Sequence, residues 1–216
     1  MPDVAGWAVL WDLDGTLVDS QADIAAAVDR ALVGHGLRPL GEAAVRRHIG
    51  SGAQHLITAC LTEALCLVEP APAADVAPVL KDFYERYREH IADRTILYDG
   101  VGELLADIQA PQAVVTNKPI GLTLVLLETL GIRSHFGAVY GGESLPMRKP
   151  DPMMIHAAMA DLGVTRAVLV GDGPHDVGAG RAAGIPVIGV EWGIGRPDGA
   201  DVRVNSVRAL RGLLLG

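Results

Sequence analysis

Short apolar runs alternate with helix-like patterns along most of the chain. The first run, residues 7–13, has no helical spacing and stops at Asp14-Gly15-Thr16, as is typical of a buried strand that ends in a turn. Similar runs recur at residues 113–116, 138–140, 167–170 and 186–190. Between them lie helix-like patterns with apolar stripes, as in Leu122, Leu126 and Leu130. Strands that alternate with helices predict a doubly wound, parallel-sheet, Rossmann-like α/β fold.

The segment from Asp19 to about Asp93 breaks this alternation, because it contains no strand-like run. Its apolar spacing predicts four helices, separated by glycine- and proline-rich breakers, over roughly residues 20–33, 42–49, 53–66 and 75–92. We therefore expect an α/β core formed by residues 1–18 and 94–216, with an inserted all-helical cap domain formed by residues 19–93. An insertion directly after the first strand would lie above the carboxyl ends of the strands, where α/β sheets bind ligands.

Composition and charge exclude several classes of protein. Half of the residues are hydrophobic, which is sufficient for a packed core, and 18 basic against 26 acidic residues give a formal charge of −8. That charge argues against a general nucleic-acid binder. The apolar runs are far shorter than the ~20 residues of a membrane-spanning helix, and residues 1–4 lack the features of a signal peptide. Cys60 and Cys66, six residues apart in one predicted helix, should point apart and stay reduced. We expect a cytoplasmic protein that binds neither nucleic acid nor membranes.

Polar residues follow the apolar strands where each strand ends. Asp12 and Asp14 follow the first strand, and Thr116 ends another. Asp172 comes directly after a third strand, with Asp176 four residues further on. The carboxyl ends of parallel strands share one edge of the sheet, so these side chains could converge. Converging carboxylates repel unless a cation neutralises them, and oxygen ligands without Cys or His favour a hard ion, by default Mg²⁺.

Lysine is rare in this chain, and its positions are informative. Of the three lysines, Lys118 and Lys149 lie beside the loops that follow the strands, whereas Lys81 lies in the predicted cap. Lys149 offers a point charge and Thr116 a hydroxyl donor, the two groups that a phosphate dianion needs. Each residue alone has an ordinary structural interpretation, such as an Asp at a helix N-cap or a Lys-Pro in a solvated loop. Their joint pattern indicates a phosphate site.

Four segments resemble, in the right order, the sequence motifs of haloacid dehalogenase-like hydrolases. They are residues 12–20 (DLDGTLVDS), 115–118 (VTNK), 149–152 (KPDP) and 171–176 (GDGPHD). Residues 45–52 and 189–193 are also similar to the corresponding segments of phosphoglycolate phosphatases. The resemblance covers the predicted core from end to end. It implies a Mg²⁺-dependent phosphatase that acts on a small phosphorylated metabolite, with a phosphoglycolate-like compound favoured.

The resemblance also implies roles for individual residues. Asp12 would attack phosphorus and form an aspartyl-phosphate, and Asp14 would protonate the leaving oxygen and then activate water. Mg²⁺ would be held by Asp12, the Asp14 main-chain carbonyl, Asp172 and Asp176. The phosphoryl oxygens would be bound, and their charge stabilised, by Thr116, Asn117 and Lys149. In the cap, Gly52 lies in a loop expected to contact substrate, and Arg47 is either a second such contact or part of a solvated helix face.

Some features depart from the family pattern or leave alternatives open. Gly173 stands where family members commonly carry Ser or Thr, which removes one hydrogen bond, and His175 is interpreted as a loop residue. Asp14 supplies an acid that dehalogenase chemistry does not use. Phosphonate hydrolysis would need a Schiff-base lysine, and Lys81, the one cap lysine, lies in a charged helix. A phosphosugar mutase of the same superfamily and a catalytically silent domain that binds Mg²⁺ or a partner stay open, as does a homodimer through the cap.

Overall fold

A parallel six-stranded sheet forms the centre of the core. The computed structural model describes residue 4 and residues 6–216, so residues 1–3 and 5 of the predicted core lie outside the described part. In chain order the strands are β1 (Ala8–Trp11), β2 (Val18–Asp19), β3 (Ile96–Leu97), β4 (Gln112–Pro119), β5 (Ala138–Gly142), β6 (Ala167–Gly171), β7 (Val187–Val190) and β8 (Val202–Val204). The main sheet has the order β5-β4-β1-β6-β7-β8, and every neighbouring pair is parallel. The predicted parallel α/β fold is confirmed.

Helices cover this sheet and fill the insertion. The insertion contains α1 (Gln21–Gly34), α2 (Glu42–Arg46), α3 (Ala53–Ala64) and α4 (Ala73–Glu89). The core contains α5 (Val101–Asp107), α6 (Ile120–Thr129), α7 (Met153–Asp161), α8 (Pro174–Ala183) and α9 (Val207–Leu215), with a 3-10 turn at Arg133–His135. Across the described range, none of these helices has the length and apolar character needed to cross a membrane.

Strand β1 is buried on both of its faces. Val9 and Trp11 belong to the larger apolar cluster, which also includes residues of α5 and α9. Ala8 and Leu10 belong to a second cluster, which includes Met154 of α7. A strand covered on both sides has no polar face, and this explains why the sequence shows continuous apolar runs rather than alternation.

Strand β1 also lies where the strand order reverses. The chain passes from β1 to β4 and β5 on one side and then returns to β6, β7 and β8 on the other. Leu10 of β1 consequently lies between Ala113 of β4 and Leu169 of β6. In doubly wound sheets the crevice at this switch point, outside the carboxyl ends of the strands, binds ligands. The residues that follow β1 and β6 frame that crevice together with the last residues of β4. The prediction that this strand ends at Thr116 is wrong, because β4 continues to Pro119.

The insertion contains the four helices that the sequence predicts, with somewhat different ends. Helix α3 ends at Ala64, because Cys66 has a φ of 54° in the left-handed region and cannot continue a right-handed helix. The prediction that Cys60 and Cys66 share one helix is therefore wrong, although both are free thiols as expected. Residues of α1, α3 and α4 belong to the same apolar cluster as Trp11, so cap and sheet share one continuous core.

A short antiparallel pair joins the two crossings between core and insertion. Val18 of β2 pairs with Leu97 of β3, and sequence reasoning misses this pair because two-residue strands carry no periodic signal. The buried carboxylate of Asp23 fixes the return crossing by accepting hydrogen bonds from Arg94 N at 2.9 Å and from Thr95 N and Oγ1 at 2.8 Å each. We propose that the boundary between core and cap lies at this pair, close to the predicted limits.

Candidate active site

Three carboxylates converge at the switch point of the sheet. Trp11 of β1 lies opposite Val170 of β6, so Asp12 and Asp172 emerge side by side beyond the strand ends. Asp176 joins them from the first turn of α8. One oxygen from each of these three residues lies within 4.8 Å of the other two. The structure thus brings together the three side chains that the sequence predicts as metal ligands.

Burial raises the pKa values of all three carboxylates. Burial raises the pKa of Asp12 to about 6, against the opposing effect of the Lys149 ammonium and with a further rise from Asp176. Burial and the Asp12 charge raise the pKa of Asp172 to about 6, and burial also raises the pKa of Asp176. Buried oxygen donors that repel one another fit a hard divalent cation.

Lys149 supplies a buried positive charge to the cluster. Its Nζ lies 2.9 Å from Asp12 Oδ1 and 2.6 Å from Asp176 Oδ1, and the residue is 2% exposed. Burial alone would lower the pKa of Lys149, but the two carboxylates outweigh burial and hold this pKa above its ordinary value. Lys149 is therefore a permanent cation beside Asp12, the position that its predicted role requires.

A glycine-rich loop holds Asp172 from the other side. Asp172 Oδ2 accepts hydrogen bonds from Ile194 N at 2.7 Å and from Gly195 N at 2.8 Å. A Cβ atom at Gly193 would overlap the Asp172 carboxylate, so only glycine allows the backbone to approach this closely. Sequence reasoning misses Ile194 and Gly195, although the glycines at 193 and 195 are a signal of close backbone approach.

Strand β4 brings Thr116 and Asn117 to the same edge. Thr116 Oγ1 accepts a hydrogen bond from Lys118 N at 3.3 Å, which leaves its own proton to donate. The amide of Asn117 donates to Lys149 O at 3.0 Å and to Gly50 O at 3.1 Å. The side chain of Asn117 thus ties the cap loop to the Lys149 loop, whereas Thr116 keeps a donor for the predicted phosphate.

Lys118 is a site residue to which the sequence motifs give no role. Its Nζ lies 3.0 and 3.2 Å from the two carboxylate oxygens of Asp14 and 2.6 Å from Tyr87 Oη on α4. Asp14 Oδ1 also accepts a hydrogen bond from Ser20 Oγ at 2.6 Å. Asp14 therefore has a cation of its own, distinct from the Lys149 cation that contacts Asp12 and Asp176. The rarity of lysine marks Lys118 in the sequence, but it does not reveal these contacts.

Two cavities meet at Asp12 and Asp14, with the cap loop residues Ile49 and Gly50 in the wall of both. The cation cavity, of about 180 Å³, is lined by Lys149 and the acidic cluster. The leaving-group cavity, of about 60 Å³, opens on the other side of Asp14 and is walled largely by apolar side chains of cap and core. It is lined by Asp12, Asp14, Ile24, Ile49, Gly50, Gly52, Ala53, Leu56, Phe83, Tyr87, Thr116, Asn117, Lys118, Pro119 and Leu122.

The two cap residues that the sequence suggests as substrate contacts lie in different surroundings. Gly52 lines the leaving-group cavity. Arg47 lines neither cavity among the residues that the structure describes, because its guanidinium donates to Glu63 of α3 at 3.0 and 3.1 Å. His175, interpreted from sequence as a loop residue, lies in the first turn of α8, and its Nε2 is 2.9 Å from Ser51 Oγ of the cap.

Comparison with known proteins agrees with this arrangement. A family model for haloacid dehalogenase-like hydrolases matches residues 9–190. A phosphoglycolate phosphatase of Chromobacterium violaceum is 37% identical over 214 residues, which cover 96% of each chain. An N-acetylmuramic acid 6-phosphate phosphatase of Pseudomonas aeruginosa is 34% identical over 214 residues, covering 94% of this chain and 92% of the relative.

The fold comparison gives the same result. The crystal structure of a predicted phosphoglycolate phosphatase from Haemophilus somnus superposes with a TM-score of 0.85 at 27% identity, covering 95% of this chain and 96% of that one. A match over 95% of the chain includes the insertion as well as the core. The chain therefore belongs to the haloacid dehalogenase-like hydrolases and, within them, is an enzyme that hydrolyses phosphoric monoesters.

Proposed function

We propose that the protein is a Mg²⁺-dependent phosphatase that hydrolyses a small phosphate monoester through a phosphoryl group carried on Asp12. The observation that supports this most strongly is the meeting of Asp12, the buried Lys149 cation and two further carboxylates at the switch point of the sheet. The metal would be bound by Asp12, Asp172 and Asp176 together with the Asp14 main-chain carbonyl. When bound, Mg²⁺ would neutralise charge on the carboxylates and on the phosphoryl oxygens.

The residues of the chain would divide the two chemical steps between them. In the first step an Asp12 oxygen bonds to phosphorus while the bond from phosphorus to the ester oxygen breaks, and Asp14 gives its proton to that oxygen. In the second step Asp14 takes a proton from water, whose oxygen bonds to phosphorus and releases Asp12. Lys149 and the Thr116 hydroxyl would hold the phosphoryl oxygens in both steps.

Cavity size and the names of relatives favour phosphoglycolate as the substrate. The names of the two relatives denote phosphate esters of an acid, one small and one a sugar acid. The leaving-group cavity of about 60 Å³ fits a group of a few heavy atoms better than an amino sugar.

Phosphate release from a panel of small esters with Mg²⁺ would test the proposal. We expect release from phosphoglycolate that EDTA abolishes and that an Asp12→Asn variant lacks. Asp198→Asn is the matched control, because Asp198 is an exposed surface carboxylate. A folded protein that releases phosphate from no ester would contradict the proposal, and conversion of one sugar phosphate into another would favour the mutase.

A further inference from the structure

The leaving-group cavity contains a cation that the proposed reaction does not use. Among the described residues that line this cavity, Lys118 alone carries a positive charge. Most of the remaining lining is apolar, as at Leu56 and Phe83, and these residues offer nothing to an anion. We propose that Lys118, positioned by Tyr87, binds a carboxylate on the leaving group. The proposal rests on the proposed phosphatase function and names the chemical class of its substrate, a phosphate ester of a small hydroxy acid.

The hydrogen-bond inventory of Lys118 leaves room for a ligand. An ammonium group has three N–H donors. Among the described residues, Lys118 Nζ contacts Tyr87 Oη at 2.6 Å and both oxygens of the one Asp14 carboxylate at 3.0 and 3.2 Å. One N–H directed between the two Asp14 oxygens can serve both of them, and the third donor is then available for another acceptor. The side chain is 3% exposed, so water has little access to this donor. A carboxylate of the leaving group would supply the missing acceptor.

Tyr87 fixes the ammonium and adds a second donor. Its hydroxyl oxygen accepts from Lys118 Nζ at 2.6 Å, and the ammonium lies 4.4 Å from the centre of its ring. Burial raises the pKa of Tyr87 well above its ordinary value, so the phenol keeps its proton. That proton has no acceptor among the residues that the structure describes. Lys118 and Tyr87 together therefore offer two donors from one side of the cavity, the number that a carboxylate accepts from a paired site.

Because the cavity wall is largely apolar, binding of an anionic leaving group depends on Lys118. An anion placed against Ile24, Leu56, Phe83 and Leu122 without a partner would lose its hydration and gain nothing in return. An uncharged leaving group of the same size would not face this cost, and it would gain little from Lys118. Lys118 therefore selects between esters that differ only in charge, whereas Lys149 binds the phosphate that all of them share.

A pair of esters of nearly equal size, whose leaving groups differ by one oxygen atom and one charge, separates this selection from catalysis. We would compare 2-phosphoglycolate with 2-hydroxyethyl phosphate, which lacks the carboxylate, in the wild type and in Lys118→Met. The substitution also removes a partner of Asp14, so kcat should fall for both esters. The ratio of their kcat/KM values should fall in addition by between about 10- and 100-fold, the loss of one charge-assisted hydrogen bond. Tyr87→Phe should lower the same ratio by about 3- to 10-fold, and Lys81→Met, an exposed cap lysine, should leave it unchanged.

A binding measurement without turnover gives a second readout. In an Asp12→Asn background, calorimetric affinity for 2-phosphoglycolate should drop at least about tenfold on adding Lys118→Met, while affinity for 2-hydroxyethyl phosphate should not. An unchanged ratio in the Lys118→Met kinetics would overturn the proposal and leave Lys118 as a partner of Asp14 only. If that variant fails to fold, the ratio for Tyr87→Phe decides. A wild type that hydrolyses neither ester would instead contradict the phosphatase function itself.

Discussion

The core half and the cap half of the site hold their side chains in different ways. In the core, charged groups are buried and fixed by short contacts, as between Lys149 and both Asp12 and Asp176. The cap contributes mainly apolar walls, with polar contacts such as Ser51 to His175 at its edge. We infer that the core carries the chemistry and the cation Lys118, whereas the cap forms the apolar wall around the leaving group and positions Lys118 through Tyr87.

Replacing Lys149 should give the largest effect. Lys149→Met removes the cation between two buried carboxylates, so we expect phosphatase activity to fall at least about 1,000-fold and stability without metal to fall by about 3–5 kcal/mol. The cluster then carries more unbalanced negative charge, so added Mg²⁺ should raise the melting temperature more than in the wild type. Phosphate release and thermal unfolding with and without Mg²⁺ measure both effects.

Lys81→Met is the control for Lys149→Met, because the Lys81 side chain is 79% exposed on the cap. It should behave like the wild type in both assays. More than a tenth of wild-type activity in Lys149→Met would show that the core charge is not essential, and the contrast between the two halves would fail.

A single methyl group at Gly193 should disturb the core without removing any charge. Gly193→Ala places Cβ on the carboxylate of Asp172, and Gly193 has no positive φ, so overlap and not backbone strain is the cause. We expect activity and Mg²⁺ affinity to fall by about 100-fold in a folded protein. Gly212→Ala, where a Cβ has nothing within 4 Å, is the control. Equal activities of the two variants would contradict the close packing at Asp172.

Replacing Asp23 tests the crossing that joins the halves. Asp23→Asn removes a carboxylate that accepts hydrogen bonds from Arg94 and Thr95, so we expect a loss of about 2 kcal/mol, or about 30-fold in the folding equilibrium. Despite burial, these bonds lower the pKa of Asp23 in the folded state. The stabilisation is therefore complete above the unfolded pKa of about 4 and is lost as pH falls through the lower folded value.

Urea unfolding at several pH values between 3 and 7 measures this prediction. The difference between wild type and Asp23→Asn should be full at pH 7 and should shrink below about pH 4. Asp198→Asn should show no such difference. A difference that is constant with pH would mean that the carboxylate charge of Asp23 does not stabilise the crossing.

The core half was largely predictable from sequence, for a physical reason. Parallel strands that are buried on both faces read as apolar runs, and the residues after them share one edge, so the convergence of Asp12, Asp172 and Asp176 is confirmed. The contacts of Lys118 were not predictable, because they depend on how α4 brings Tyr87 over the end of β4. Neither strand periodicity nor motif spacing predicts how close Lys118 and Tyr87 lie in the folded chain.

The cap half was predictable as helices but not as contacts. The apolar stripes identified α1 to α4, yet amphipathic spacing says only which face is buried and not what it faces. Gly52 lines the leaving-group cavity, whereas Arg47 is absent from its wall in the part of the chain that the structure describes, although both belong to the same short segment. The two-residue strands β2 and β3 at the crossing were also missed, because two residues are too few to show an alternating pattern of apolar and polar positions.

Replacing Arg47 should give the smallest effect. It tests whether the cap contacts the substrate outside the wall of the leaving-group cavity. Arg47 is bound to Glu63, and its side chain is 61% exposed, so Arg47→Ala should leave kcat and KM for phosphoglycolate within about twofold of the wild type. Arg46→Ala, a change to a neighbouring exposed arginine, is the control for a general effect of surface charge. A rise in KM of tenfold or more in Arg47→Ala alone would mean that the guanidinium leaves Glu63 and reaches the substrate. In that case the cap would recognise the anion from the surface as well as through Tyr87, and selection would not be confined to the buried wall.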